Sequence, residues 1–386
     1  MQTSILRRPV VKWALPSGVA AVAVAAAAVG PVIAGADSEL PERSATELLV
    51  ELAGARDVAF SGTVVQSADL GLPEIPGTGA ADAGSASTTA LSLLTGSTSA
   101  RIWYSDTENF RVALQDELAE TDFIRNGQDV WFWNSQHESA THTTVSTKDS
   151  EQKMTLPENA PMGTPGAAAA MALQAIAPTT DVAVDGTATV AGRDAYELVV
   201  SPKDDKSLIG SIRLAVDGEH GLPLRVRILS SEGGDPVFEM GFTSVTFGEP
   251  DESVYDFNPP AGTEVEEVDP QELKRQSPHG PNGHGNANAE DVPAPSDVSV
   301  VGSGWTSVAV VRDVRLEDLT KSMDGKAPTV DALLGEFEKV SGPYGTGRAM
   351  SNDIVSALLL DDGRLLVGAV PLEVLEDAAM DPQAAA

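Results

Sequence analysis

Val190–Pro260 reads VAGRDAYELVVSPKDDKSLIGSIRLAVDGEHGLPLRVRILSSEGGDPVFEMGFTSVTFGEPDESVYDFNPP, and this stretch decides the fold class. Apolar residues recur at every second position in Tyr196, Leu198 and Val200, in Ile212, Leu214 and Val216, in Leu224, Val226 and Ile228, and in Phe238, Met240 and Phe242. That is the period of half-buried strands. Between the runs lie Pro202–Lys206, Gly218–Pro223 and Gly233–Pro236, each the size of a hairpin connection. The stretch contains several antiparallel strands and no recognisable catalytic group, so it is expected to hold something rather than to transform it.

Upstream, Ser44-Ala45-Thr46-Glu47 forms a capping box ahead of Leu48, Leu49 and Leu52. It predicts an amphipathic helix to about Ala55 whose apolar side needs a sheet. Strands are expected over Val58–Gln66, Ser99–Ser105, Asn109–Gln115, Thr121–Arg125 and Val130–Ser135, with Asn126-Gly127 as a tight hairpin. Ser67–Thr89 is poor in any strand period and is expected to be a loop. Pro165–Ala177 has the composition of a second helix that stops at Pro178.

Three motifs in the opening stretch resemble the LolA-like superfamily, which includes lipoprotein carriers and the envelope-stress regulators of the RseB/MucB type. They are Gly192-Arg193-Asp194-Ala195-Tyr196, the run Asp217–Pro223 followed by Leu224-Arg225, and Phe257-Asn258-Pro259-Pro260. The resemblance implies an α+β fold: an open antiparallel half-barrel with capping helices, whose apolar interior accepts acyl chains. Pro343–Arg348 and Asp362–Val370 resemble the appended domain of actinobacterial proteins of this kind, implying a small C-terminal α+β domain.

The expected organisation has four parts: an export signal over 1–36, a half-barrel over 40–271, a linker over 276–297 rich in Pro, Gly, Asn and Ser, and the C-terminal domain over 298–380. Within the last, strands are expected over Val298–Val311 around Trp305, a helix over Thr329–Val340, a hairpin of Ile354–Leu360 with Leu365–Val370, and a closing helix over Leu372–Met380.

The N-terminus carries Arg7, Arg8 and Lys12, then an Ala/Val-rich run from Trp13 to Ile33, then Ala34-Gly35-Ala36 before Asp37. This is the pattern of an export signal with cleavage between Ala36 and Asp37. The run is also about 20 residues long, enough to span a bilayer, so a retained anchor is the alternative. Arg7-Arg8 leaves both general and twin-arginine export open. The 386-residue chain has no cysteine, so neither a lipidated cysteine nor a disulfide contributes. Removing residues 1–36 leaves 22 basic against 57 acidic residues, a formal charge of −35. Such a field repels nucleic acid and anionic head groups.

No zinc, phosphate-loop or nucleophile motif is present, and His137 and His142, five residues apart, are expected on one strand and hence on its opposite faces, which gives no local metal site. The chain is accordingly expected to need no cofactor and to be no enzyme. Its apolar residues are more informative. Trp131 and Trp133 alternate with Val130 and Phe132, making one strand apolar on both sides, with one side meeting a core and the other a helix or a cavity. Alternation nominates Phe60, Trp103, Phe110, Trp131, Trp133, Ile212, Leu214, Val226 and Phe238 as the lining of an apolar cavity. Two functions follow: an extracytoplasmic, membrane-proximal carrier or sensor of a lipid or acylated protein, or a regulator of an extracytoplasmic sigma factor acting through an anti-sigma partner. N-terminal sequencing of exported protein is expected to begin at Asp37; an intact Met1 in the membrane fraction would instead establish the anchor.

Overall fold

The computed structural model describes residues 40–55, 58–69, 96–115, 119–145, 173, 176–269, 298–312, 314 and 337–381. The export signal and its Ala36/Asp37 junction, the Gly-rich loop from residue 70, nearly all of the Pro165–Ala177 helix and the 276–297 linker lie outside the described residues.

Helix α1 spans Ala45–Gly54 and opens on the capping box that the sequence predicts, with the Ser44 side chain accepting from the Glu47 N–H and the Glu47 carboxylate accepting from the Ser44 N–H. The large sheet contains β1 (Phe60–Ala68), β2 (Gly96–Tyr104), β3 (Asn109–Gln115), β4 (Glu120–Asn126), β5 (Asp129–Asn134), β6 (Ser139–Thr144), β7 (Thr180–Val190), β8 (Arg193–Pro202), β9 (Ile209–Asp217), β10 (Pro223–Ser230), β11 (Phe238–Phe247) and β12 (Glu264–Glu267). Its spatial order is β12-β6-β5-β4-β3-β2-β1-β11-β10-β9-β8-β7, so it is open, with β12 and β7 at its two edges. All pairings are antiparallel except β12 with β6. The β4–β5 hairpin turns at Gly127 with φ +60°, a left-handed conformation that glycine adopts without a Cβ penalty.

A smaller sheet follows, made of β13 (Val298–Val301), β14 (Val308–Val311), β15 (Glu338–Gly342), β16 (Gly345–Ser351), β17 (Ser356–Leu360) and β18 (Leu365–Gly368), closed on one face by α2 (Leu372–Ala379). Val308, Val310, Leu358, Leu366 and Leu375 form its core. Two expectations are corrected. Glu338–Val340 belongs to β15 and not to the end of a helix, and His137 sits in the turn before β6 rather than on a strand. Phe337 is a bend ahead of β15, and residues 329–336 of the expected helix lie outside the described residues.

Register assigns each side chain to a face, because residues paired across strands point the same way. Leu198 (β8), Leu214 (β9), Val226 (β10), Met240 (β11), Gln66 (β1) and Thr98 (β2) form one continuous row. Helix α1 lies on this face at the β7–β9 side, where Leu48 packs with Tyr196, Leu198, Val182, Val184 and Leu214. We call it the inner face. The small sheet meets one end of the large one: Ile354 packs on the Ala68–Val237 cluster that Ile228 and Phe238 also join, the Trp305 indole N–H donates to Thr180 Oγ1 at 2.8 Å, and the Leu208 N–H donates to Ala369 O at 2.9 Å.

Leu48 is fully buried and is the main apolar link between α1 and the sheet. Leu48→Ala is expected to lower unfolding stability by about 2–5 kcal/mol through lost transfer energy and a residual cavity. Urea denaturation followed by circular dichroism measures this, and a loss under about 1 kcal/mol would show that the helix end of the sheet repacks freely.

Candidate functional site: the inner face of the large sheet

The inner face divides in two. The α1 side is filled by leucine and valine. Toward β1–β5, a second row runs Phe60, Tyr104, Phe110, Arg125 and Val130, and a third runs Gly62, Ile102, Val112, Phe123 and Phe132. Their rings form a ladder across four strands: Phe60 to Tyr104 at 5.6 Å, Tyr104 to Phe110 at 6.5 Å, and Phe110 to Phe123 at 5.6 Å between centroids. Such offset contacts are the favoured geometries of aromatic pairs. Phe60 is buried, and Tyr104, Phe110 and Phe123 are only half-buried. Close approach at the foot of the ladder depends on Gly62, where a Cβ would stand 2.5 Å from Ser244 O and 2.8 Å from the Phe242 ring.

Of the nine nominated lining residues, six share this face: Phe60, Phe110, Ile212, Leu214, Val226 and Phe238. The register places the other three, Trp103, Trp131 and Trp133, on the outer face, opposite Arg111, Ile124 and Asp122 respectively. The nine therefore do not line one cavity. The physical reason is the two-sided apolarity of β5, where alternation alone leaves the facing of Trp131 and Val130 undetermined.

The tryptophans have another occupant, the chain itself. After β11, residues 248–263 cross the outer face as a strap. Arg111 Nη1 donates to Val254 O at 3.4 Å, Tyr255 Oη meets Ser105 Oγ at 3.0 Å, Asn126 Nδ2 donates to Asp256 Oδ1 at 3.1 Å, and the Phe257 ring lies 5.3 Å from Trp131 and 6.1 Å from Trp133. The strap then becomes β12. His142 stacks on Trp131 at 4.1 Å and places its two ring nitrogens on carboxylates from flanking strands, Nδ1 on Glu267 at 2.8 Å and Nε2 on Asp129 at 3.0 Å. Trp103 is flanked by the guanidinium groups of Arg101 at 4.8 Å and Arg111 at 5.5 Å.

The outer face also carries the ionic framework. Asp122 is buried and takes two hydrogen bonds from Arg111. Glu197 is shared by Arg213, Arg225 and Arg227. At the β9–β10 turn, Asp217 is buried against Arg193 at 2.8 Å and accepts from the backbone N–H groups of Glu219 and His220. Among the described residues, no group of three or more His, Cys, Asp or Glu side chains is arranged to hold a metal ion. No helix among them is long and apolar enough to cross a membrane.

Burial by itself would raise the Asp217 carboxyl, but the Arg193 hydrogen bonds and the His220 and Glu219 amides outweigh it and hold the group below its ordinary 3.8. A depressed carboxyl contributes stability that is present above the unfolded-state value and is lost as pH falls through the folded-state value. Unfolding stability is therefore expected to drop below about pH 4, with a smaller drop in Asp217→Asn; urea midpoints between neutral and acid pH measure it, and identical pH slopes would remove Asp217 from the account.

The MucB/RseB N-terminal domain model matches residues 113–276. No curated protein matches the chain. Similar solved structures include MucB in complex with MucA(peri), 18% identical over 87% of this chain and 97% of that one with a TM-score of 0.41. The Pseudomonas aeruginosa MucA/MucB complex is 19% identical over the same shares, also with a TM-score of 0.41. A LolA superfamily protein from Nitrosomonas europaea is 9% identical over 56% of this chain and 99% of that one, with a TM-score of 0.22. The sequence match thus makes residues 113–276 similar to the MucB/RseB N-terminal domain.

Proposed function

We propose that this chain is an extracytoplasmic, non-enzymatic binding protein whose inner sheet face takes an acyl chain, either of a lipid or of an acylated protein. The observation that carries the reading is the aromatic ladder Phe60–Tyr104–Phe110–Phe123, half-buried at its last three rings, on the inner face away from α1. A flat row of rings four strands wide matches the shape and polarity of an extended hydrocarbon chain, and apolar concave surfaces with few polar groups are the usual small-ligand sites. In this reading the half-barrel occupies 40–271, the 276–297 linker tethers the C-terminal domain of 298–380, and the signal-like N-terminus accounts for export and proximity to the membrane.

The MucB/RseB match over 113–276 favours a second, compatible reading, in which the protein regulates an extracytoplasmic sigma factor by holding an anti-sigma partner and the acyl ligand modulates that contact.

A fluorescent fatty-acyl probe tests the first reading. Phe110→Asp places a charge among apolar rings, which costs several kcal/mol when unpaired, and is expected to weaken probe binding about tenfold or more. Ser244→Asp, on the exposed outer face, is expected to leave it unchanged. Circular dichroism and thermal melting accompany each variant. Equal binding by folded wild type and folded Phe110→Asp would overturn the acyl site. Under the second reading, the acyl probe also lowers the affinity of the wild type for the extracytoplasmic segment of the anti-sigma factor.

A further inference from the structure

The β6 edge of the large sheet carries a strand that is poorly suited to it. β12 is four residues long, Glu264-Val265-Glu266-Glu267, with all four exposed, and it runs parallel to β6 in a sheet whose other pairings are antiparallel. Parallel pairing is slightly weaker per residue, and glutamate is depleted in strands. Glu264 and Glu266 also share one side of the strand as like charges. The chain enters β12 through a turn in which the Thr263 N–H donates to Pro260 O at 3.1 Å and Gly262 takes φ +101°, and Tyr255 is the last buried residue before that turn. β6 itself, Ser139-Ala140-Thr141-His142-Thr143-Thr144, has no carboxylate, lysine, proline or glycine. It is an edge of the kind that adds a further strand unless something covers it.

We propose that β12 is the internal occupant of a strand-accepting edge, and that the external partner of this edge is an extended peptide segment with an apolar residue and, two positions on, a single carboxylate. The way β12 is seated shows the chemistry the edge recognises. The register sets Val265 beside Ala140 and Glu267 beside His142, on one side of the strand. There His142 Nδ1 meets the Glu267 carboxylate at 2.8 Å, its Nε2 meets Asp129 at 3.0 Å, and its ring stacks on Trp131. The main chain is held at both ends: the Glu264 N–H donates to Glu138 O at 2.8 Å, and the Val268 N–H donates to His142 O at 2.9 Å. By the two-residue alternation of a strand, the Glu266 N–H points to β6 as well. Strand addition of this kind takes affinity from the ladder and selectivity from alternate side chains. Glu264 and Glu266 lie on the other side of β12 and take no part in the clasp, so in a chain of net charge −32 a partner without them meets less repulsion than β12 does. While β12 is in place it competes at an effective concentration on the order of millimolar. The edge is thereby closed to weak partners and opens to a segment that pairs better.

The test uses the full chain and a fluorescein-labelled peptide that copies Pro260–Asp269 with Glu264→Thr and Glu266→Thr, its binding read by anisotropy. In the chain, Glu266→Pro removes the N–H that faces β6 and so releases β12. This variant is expected to bind the peptide about tenfold or more tighter than wild type, because the internal competitor is gone. Glu267→Gln in the chain weakens the clasp and leaves the ladder whole, and is expected to shift affinity the same way by about threefold. A peptide that also carries Glu267→Gln is expected to bind the Glu266→Pro chain about threefold more weakly than the first peptide. Both chain variants are expected to melt close to wild type by circular dichroism, since β12 buries none of its side chains. Equal affinity of wild type and both variants, or no binding to any of them, would overturn the strand-accepting edge. Equal affinity for the two peptides would overturn the carboxylate preference at His142. A Glu266→Pro chain that melts well below wild type would show β12 to be an integral strand of the fold, which also overturns the proposal. None of these outcomes bears on the inner face.

Discussion

The pairing of β1 with β11 holds the rest of the molecule together. β1 comes from the N-terminal part of the chain and β11 from well past its middle, and they are joined over the full length of β1, from Phe60 opposite Phe247 to Ala68 opposite Phe238. On one side of this seam the meander β2–β6 follows, and on the other the meander β7–β11. Without it there would be two separate sheets, each with an unpaired edge. With it, one twisted surface wide enough to lay an aromatic row beside an aliphatic one becomes available. The seam has a bulge between Thr63 and Val64, where Gly62 permits the close approach of Phe242 and the Ser244 backbone.

The two faces of that surface solve different problems. The outer face carries charge, and most of its buried ions are compensated: Arg111 with Asp122, Arg193 with Asp217, and three arginines around Glu197. Removing one member of such a pair strands the other in low dielectric, so these pairs resist slippage of the register rather than adding much net stability. The strap over 248–263 closes the same face above Trp131 and Trp133 and ties its end to β6 through His142. The inner face is mostly apolar; among the described residues, α1 packs on it at the β7–β9 side and Ile354 of the small sheet packs beside Ile228 and Phe238. In the function proposed above, the apolar ligand takes the inner face, opposite the charge and the strap.

Much of this was legible in the sequence where the signal is local. The capping box at Ser44, the Asn126-Gly127 turn and the alternation in β3, β8, β9, β10 and β11 depend on neighbours within a few residues, and the structure shows each of them. β12 was missed because Glu-Val-Glu-Glu has no apolar period; it is a strand through its parallel pairing with β6 and the His142–Glu267 contact, not through its composition. The first three residues of β15 fall at the end of a stretch whose Leu333, Leu334 and Phe337 have helical spacing, whereas Glu338 and Val340 pair across strands with Ala349 and Gly347.

The sequence by itself determined the class of structure: a cysteine-free acidic chain with a signal-like start, a long antiparallel sheet with helices to cap it, and a small C-terminal part of sheet and helix. Only the tertiary structure decided which way the aromatic residues face. Alternation fixes whether two residues of one strand point the same way, but the direction itself is set by cross-strand register and by what covers each side. That is why Phe60 and Phe110 share a face with Leu214 and Val226, while Trp103, Trp131 and Trp133 turn to the strap.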